Sequence, residues 1–203
     1  SYLKNWLDIC PKNQFTTLDT HDGIGVVDVK DLMPDEEIMR TKEDVFKFGA
    51  NVKKIYNTSA YNNLDIYQLN CTYYSALGDN DKAYLLARAI QFFAPGIPQV
   101  YYVGMLAGKN DLELLEETKV GRNINRHYYT KEEVAEEVNR NVVGDLLELM
   151  RFRNTHKAFN LDGDINVDLD GESIITITRK YEENYATLKA NLKTYDFKII
   201  HSW

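Results

Sequence analysis

Two hydrophobic periods divide this chain of 203 residues, and the change comes near Phe159. Before it, apolar residues recur at helical spacing in segments separated by short β-rich runs. After it, they alternate one by one. Leu3, Trp6, Leu7 and Ile9 give a short helix over 3–9, and Phe15-Thr16-Thr17-Leu18 reads as a strand over 14–19. Thr41, with an acidic residue three positions on, predicts a helix over 42–57 whose face carries Val45, Phe48, Val52, Ile55 and Tyr56. A second helix runs from Asp81 to Phe93 and stops at Ala94-Pro95-Gly96. Gln99 to Val103 then reads as a buried strand.

Strand, helix, helix, strand in this order is an alternating β/α pattern. A long connection, Gly104 to Tyr129, holds one short helix near 111–117, and connections of that length inside a compact domain are usually functional. Thr130-Lys131-Glu132-Glu133 is a capping-box signature, and Val142, Leu146, Leu149 and Met150 mark a further helix over about 142–155. Ile165 to Leu169 then alternates apolar with polar, and Asp170-Gly171 signals a tight hairpin of type I′. Residues 173–181, 185–190 and 196–201 supply the other strands. The expected organisation is an α/β portion over 1–159 and a small antiparallel β domain over 160–203.

With 44% hydrophobic residues the chain can bury a core. A net charge of −7 argues against a nucleic-acid surface, which needs a basic footprint. The longest apolar stretch, Ile90 to Val103, is broken by Pro95 and Pro98 and too short to span a bilayer, so no membrane is expected. Cys10 and Cys71 are isolated thiols without a Cys/His cluster at metal spacing, which fits a reducing, cytoplasmic compartment and no structural metal. Ser1 to Trp6 has neither an initiator Met nor a signal-peptide layout, so the expectation is that the chain begins inside a longer protein.

The stretch richest in chemistry is Gln14-Phe-Thr-Thr-Leu-Asp-Thr-His-Asp-Gly-Ile-Gly25. A strand gives way to a loop at Asp19, and an imidazole (His21) and a carboxylate (Asp22) follow before Gly23. That is where barrel enzymes carry their reacting groups. An ordinary strand end, with its Asp capping the next turn, has the same local spelling.

Residues 17–25 closely resemble the fourth conserved region of the α-amylase family of retaining glycosidases and transglycosylases. Asn63-Leu-Asp-Ile-Tyr-Gln-Leu-Asn70, Pro95-Gly-Ile-Pro-Gln-Val-Tyr-Tyr-Val-Gly104 and Val120-Gly-Arg-Asn-Ile-Asn-Arg-His-Tyr-Tyr129 narrow the resemblance to that family's sucrose phosphorylases, in matching order and over almost the whole chain. The resemblance implies the C-terminal part of a (β/α)8 TIM barrel, its last two β/α units, followed by a small β domain. It implies retaining glucosyl transfer from sucrose to phosphate, giving α-glucose 1-phosphate and fructose, with no metal or organic cofactor.

In such an enzyme one carboxylate attacks the anomeric carbon and a carboxylic acid protonates the leaving oxygen. A third acid grips sugar hydroxyls as oxocarbenium character develops. The resemblance assigns that third role to Asp22, with His21 beside it as donor to a glucosyl hydroxyl. Arg122 becomes the arginine of the glucosyl subsite. Asp65 and Gln68 become acceptor-side contacts, and Tyr67 with the Ile66 backbone meets phosphate. Arg126 and His127 are expected only to stabilise their loop. Asp19 is expected to orient or cap locally, and Asp28 and Asp31 to begin a helical turn. The attacking Asp and the acid/base Glu would precede Ser1, so the chain alone is expected to be inactive. Its expected partners are the missing N-terminal barrel segment or a second copy in a homodimer. The alternatives are a phosphorylase for sucrose 6′-phosphate or another glucoside, and a non-catalytic glucosyl-binding or association fragment.

Overall fold

The computed structural model describes residues 2–29, 31–49 and 68–203. Along the chain run α1 (Tyr2–Ile9), β1 (Phe15–Thr17), β2 (Ile24–Gly25), α2 (Asp35–Lys47), β3 (Gln68–Leu69) and α3 (Tyr73–Ala76). Then come α4 (Asp81–Phe93), β4 (Ile97–Gln99), α5 (Tyr102–Met105), α6 (Leu112–Thr118), α7 (Lys131–Glu137) and α8 (Asn141–Thr155). The chain ends in β5 (Asp164–Asp170), β6 (Ile174–Tyr181), β7 (Asn184–Asn191) and β8 (Phe197–His201). Two compact units form. One comprises Ser1–Thr17, Leu85–Gln99 and Gly144–Trp203; the other comprises Leu18–Tyr84 and Val100–Val143. No helix among the described residues is long and apolar enough to cross a membrane.

The first unit is built on the antiparallel sheet β5-β6-β7-β8. The alternation seen in the sequence becomes its inner face. Ile175 pairs with Ala190 and Ile177 with Leu188, and none of the four is more than 2% exposed. Leu7 of α1 and Leu86, Ala89 and Phe93 of α4 close over this face. Each fully buried Leu or Ile contributes about 1.5–3 kcal/mol. β1 and β4 pair in parallel, Phe15 with Ile97 and Thr17 with Gln99. Gln91 of α4 ties both strands together, its amide donating to Thr16 O (2.8 Å) and Gln99 O (2.9 Å).

Arg179 lies on the inner face of β6 at 1% exposure, opposite Ala186. Its guanidinium donates to Ala94 O (2.9 Å), Phe93 O (3.4 Å) and Asn160 O (3.4 Å), so two of its acceptors are orphan carbonyls at the C-terminal end of α4. Arg153 takes Phe92 O (2.9 Å) and Gly96 O (2.9 Å) at the same helix end and lies 4.8 Å from the Phe159 ring centroid. Burial, with the like charge of Arg179 added, lowers the Arg153 pKa to about 10. The helix terminus replaces carboxylates as counter-dipole to both cations.

In the second unit, Val45 and Phe46 of α2 pack on Leu69, Cys71 and Ala76. Cys10 and Cys71 are free, and burial pushes the Cys71 thiol up to about 12, so it stays protonated. Asp28 lies in a 3-10 turn (Val27–Val29), and Asp31 follows with φ 68°.

Three sequence expectations shift. α2 starts at Asp35, not near Thr41: Pro34 opens it, Asp35, Glu36 and Glu37 face its positive end, and Thr41 Oγ1 donates to Glu37 O inside the helix. It ends at Lys47, and Gly49 follows at φ +95°; the rest of the expected helix, 50–57, lies outside the described residues. The buried strand expected over 99–103 is displaced: β4 is Ile97–Gln99, exposed at Ile97 and Gln99, and shares only Gln99 with the expected span. Pairing stops at Gln99, and Tyr102–Met105 is a helical turn with Met105 N on Tyr101 O (2.8 Å), an ambiguity that a buried run without alternation always carries. The β5–β6 hairpin has three loop residues, because Asp170 pairs with Ile174 and only Gly171 takes positive φ (62°); type I′ needs two.

The long connection is held at its base by His127. Nδ1 meets Asp111 Oδ2 (2.5 Å) and Nε2 meets Glu133 Oε1 (3.3 Å). Asp111 also caps α6 through Leu114 N (2.8 Å), and Glu133 closes the Thr130 capping box of α7. One imidazole thus joins the starts of two helices. Burial works against its charge, but the two carboxylates outweigh it and raise the pKa.

Two predictions follow from these contacts. Because the folded His127 pKa lies above 6.5, its contribution is full below that pH and is lost as pH rises through the raised value; Glu133, lowered from 4.5, loses its share as pH falls. Amide protection over 111–133, corrected for intrinsic exchange, should therefore fall as pH rises above 6.5 and through the raised His127 value, and His127→Gln should flatten that dependence. An unchanged dependence in the variant would remove His127 as its source. Arg179→Met should cost about 2–4 kcal/mol in denaturant unfolding, because three carbonyls lose a buried donor. A Met variant as stable as the parent would mean those carbonyls do not need it.

Candidate active site

His21 and Asp22 form the apex of a turn closed by two backbone bonds, Thr20 N to Gly23 O and Gly23 N to Thr20 O, each 3.1 Å. The Thr20 hydroxyl accepts from Asp22 N (3.1 Å). Gly23 has φ +104°, and a Cβ there would lie 2.0 Å from Leu69 O, so both conformation and space demand glycine. β2 leaves this turn and pairs antiparallel with β3, Ile24 with Leu69 and Gly25 with Gln68. That pairing brings Gln68 to the apex, where its Nε2 donates to Asp22 O (2.8 Å).

The segment Gly121–Asn125 is a 3-10 turn that supplies the rest. Arg122 donates from a terminal nitrogen to Asp22 Oδ1 (3.0 Å), and Arg126 does the same at 3.1 Å. Arg126 Nε also donates to His21 O (2.8 Å), and the fully buried Asn125 donates to Thr20 O (2.8 Å). The other carboxylate oxygen, Oδ2, lies 3.3 Å from His21 Nε2. The His21 side chain is 65% exposed and that of Asp22 33%. A carboxylate so held is a strong acceptor, partly open to solvent, with an imidazole beside it that can donate or accept. Asp19 is buried near this turn at 3% exposure.

Of the residues singled out in the sequence, His21, Asp22, Gln68 and Arg122 therefore converge on one turn. Asp65, Ile66 and Tyr67 lie outside the described residues. Arg126 does more than hold its own loop, since both of its side-chain bonds go to residues more than a hundred positions away. Asn125 was not anticipated at all. The only local signal was the spacing of Arg122 and Arg126 around it, four apart and able to share a side.

No protein-family model matches the chain. Among individual proteins, a sucrose phosphorylase from Streptococcus mutans is 61% identical over 96% of this chain and 40% of its own length. A glucosylglycerol phosphorylase from Marinobacter adhaerens is 46% identical over 100% of this chain and 42% of its own. The crystal structure of sucrose 6F-phosphate phosphorylase from Thermoanaerobacter thermosaccharolyticum superposes with a TM-score of 0.89 at 44% identity, covering 99% of this chain and 41% of that one. The chain spans about two fifths of the length of these relatives. With that degree of identity along nearly its entire length, it belongs to the family that holds the sucrose phosphorylases and the related glucoside phosphorylases.

Proposed function

We propose that this chain is the C-terminal portion of a sucrose phosphorylase of the α-amylase type, which moves a glucosyl group from sucrose to phosphate with retention. The observation that carries the reading is the His21–Asp22 apex, with its carboxylate fixed by Arg122 and Arg126. In a double displacement through an oxocarbenium-like transition state, an immobile carboxylate bonded to sugar hydroxyls stabilises the charge that develops as the ring flattens. Asp22 performs that task, His21 donates to a neighbouring hydroxyl, and Arg122 holds the glucosyl unit. Asp65, Ile66, Tyr67 and Gln68 serve the acceptor side, where fructose leaves and phosphate enters. The attacking carboxylate and the acid/base group belong to the remaining three fifths of the protein, so this chain alone does not turn over sucrose.

The same reading makes residues 1–159 the end of a (β/α)8 barrel and 160–203 a β domain. The parallel pairing of β1 with β4 supports it, as do Phe15 and Ile97, register partners left 71% and 45% exposed for further strands to cover. Plain sucrose is favoured over sucrose 6′-phosphate by 61% identity to a sucrose phosphorylase against 48% to a sucrose 6(F)-phosphate phosphorylase.

The full-length protein should form glucose 1-phosphate from sucrose and phosphate, and do so faster than from sucrose 6′-phosphate or glucosylglycerol. In that protein Asp22→Asn should lower kcat by on the order of 10²–10³. Turnover above about a tenth of the parental value would remove Asp22 from transition-state stabilisation. Tyr67→Ala and Gln68→Ala should change phosphate dependence and the ratio of hydrolysis to phosphorolysis, whereas Arg122→Ala should slow the glucosyl half-reaction with every acceptor. Uniform losses across all three variants would abolish the division into donor and acceptor sides.

A further inference from the structure

The turn that carries His21 and Asp22 cannot satisfy its own main chain. Three carbonyls in succession are met by side chains from elsewhere: Thr20 O by Asn125 (beside its turn bond), His21 O by Arg126, and Asp22 O by Gln68. Among these three donors in the described residues, Arg126 alone also holds the carboxylate. It does so with one edge of a planar group, Nε on His21 O at 2.8 Å and a terminal nitrogen on Asp22 Oδ1 at 3.1 Å. A rigid fork with both prongs occupied fixes the peptide plane at residue 21 and the side-chain torsion of residue 22 together.

Arg122 reaches the same oxygen, but it touches only the side chain and is 46% exposed, against 27% for Arg126. The base of Arg126 is also anchored. Its backbone N donates to Asn123 O (3.1 Å), and the next residue, His127, is clipped by Asp111 and Glu133 and accepts from the Tyr102 hydroxyl through its carbonyl (2.7 Å). The preceding residue, Asn125, is buried at 1% exposure. The guanidinium thus projects from a fixed stem onto an apex that itself lies outside every helix and strand.

We propose that Arg126 is a positioning residue: it sets the Asp22 carboxylate and the His21 main chain in the geometry that binds the glucosyl transition state, leaving Arg122 to meet the sugar. This rests on the functional reading above. Positioning of this kind acts on kcat, because a carboxylate that must be reoriented in each turnover loses the advantage of being fixed beforehand. Lysine cannot replace the fork, since one ammonium on a flexible stem does not span two acceptors with fixed angles.

The test uses the full-length protein with sucrose and phosphate. Arg126→Ala should lower kcat about 10²-fold with KM for phosphate within about threefold of the parent. Arg126→Lys should recover less than about a tenth of the lost rate, while added guanidinium ion should partly rescue the Ala variant. A merely structural role predicts the opposite pattern: a fall in active-site titre and Tm, normal kcat per active site, and recovery by Lys. Either that pattern, or Arg126→Ala at more than half the parental kcat, overturns the proposal. If the parent itself yields no glucose 1-phosphate, the functional reading fails, and the positioning claim is then decided by crystal structures of parent and Arg126→Ala. A changed Asp22 rotamer and a displaced His21 carbonyl in the variant support it; an unmoved turn refutes it.

Discussion

A tight turn outside any helix or sheet has polar main-chain groups that cannot pair with their neighbours, and around His21 and Asp22 this constraint organises the surrounding site. Within the turn only Thr20 and Gly23 pair main chain with main chain, and the Thr20 hydroxyl takes Asp22 N. Gln68 arrives because β2 pairs with β3, and Asn125 and Arg126 arrive because a 3-10 turn follows α6. Each donor comes from a segment with its own reason to be where it is. The apex is therefore as fixed as those segments are, although it is exposed and glycine-bounded itself. Gly23 is the one position where this arrangement tolerates no side chain, since Leu69 O fills the space a Cβ would need.

The same economy governs the end of α4 in the other unit. A helix that stops at Ala94 against a sheet leaves carbonyls pointing into apolar surroundings. Two arginines, 153 and 179, serve them and stack near the Phe159 ring, which itself meets Phe93 edge-on at 5.0 Å between centroids. Neither cation has a carboxylate partner among the described residues. Desolvation is offset by carbonyl dipoles and an aromatic face, so a buried charge does here what a glycine C-cap does at simpler helix ends.

What could be read from the sequence was whatever local spacing encodes. The alternation at Ile175, Ile177 and Val167 gave the sheet, the stripe at Leu86, Ala89 and Phe93 gave α4 with its ends, and Thr130 with Glu133 gave the cap of α7. The start of α2 was misplaced because Thr41 and Asp44 spell a cap that Pro34 and three acids pre-empt seven residues earlier. The run through Val103 changed from strand to helix at Gln99, a point fixed by its partner β1 ending at Thr17 rather than by anything in its own residues. His21, Asp22, Gln68 and Arg122 were singled out by motif resemblance, and they meet at one turn. Arg126 and Asn125 were not, because their meaning lies in carbonyls a hundred residues away, and main-chain acceptors have no spelling in a sequence.

The charge around Asp22 adds one more consequence. The chain carries a net charge of −7, a field that opposes the approach of anions. At the apex the acidic excess is offset, for two guanidinium groups share a single carboxylate oxygen with an imidazole beside it. One arginine balances the Asp22 carboxylate, and the second is set against Asp19, buried near the same turn. A site balanced in this way repels an anion less than the acidic surface around it, and the difference is weakened by salt. On the proposed reaction, the pair of arginines thus reconciles two demands on one site: a fixed negative charge for the oxocarbenium and tolerance of a negative acceptor beside it.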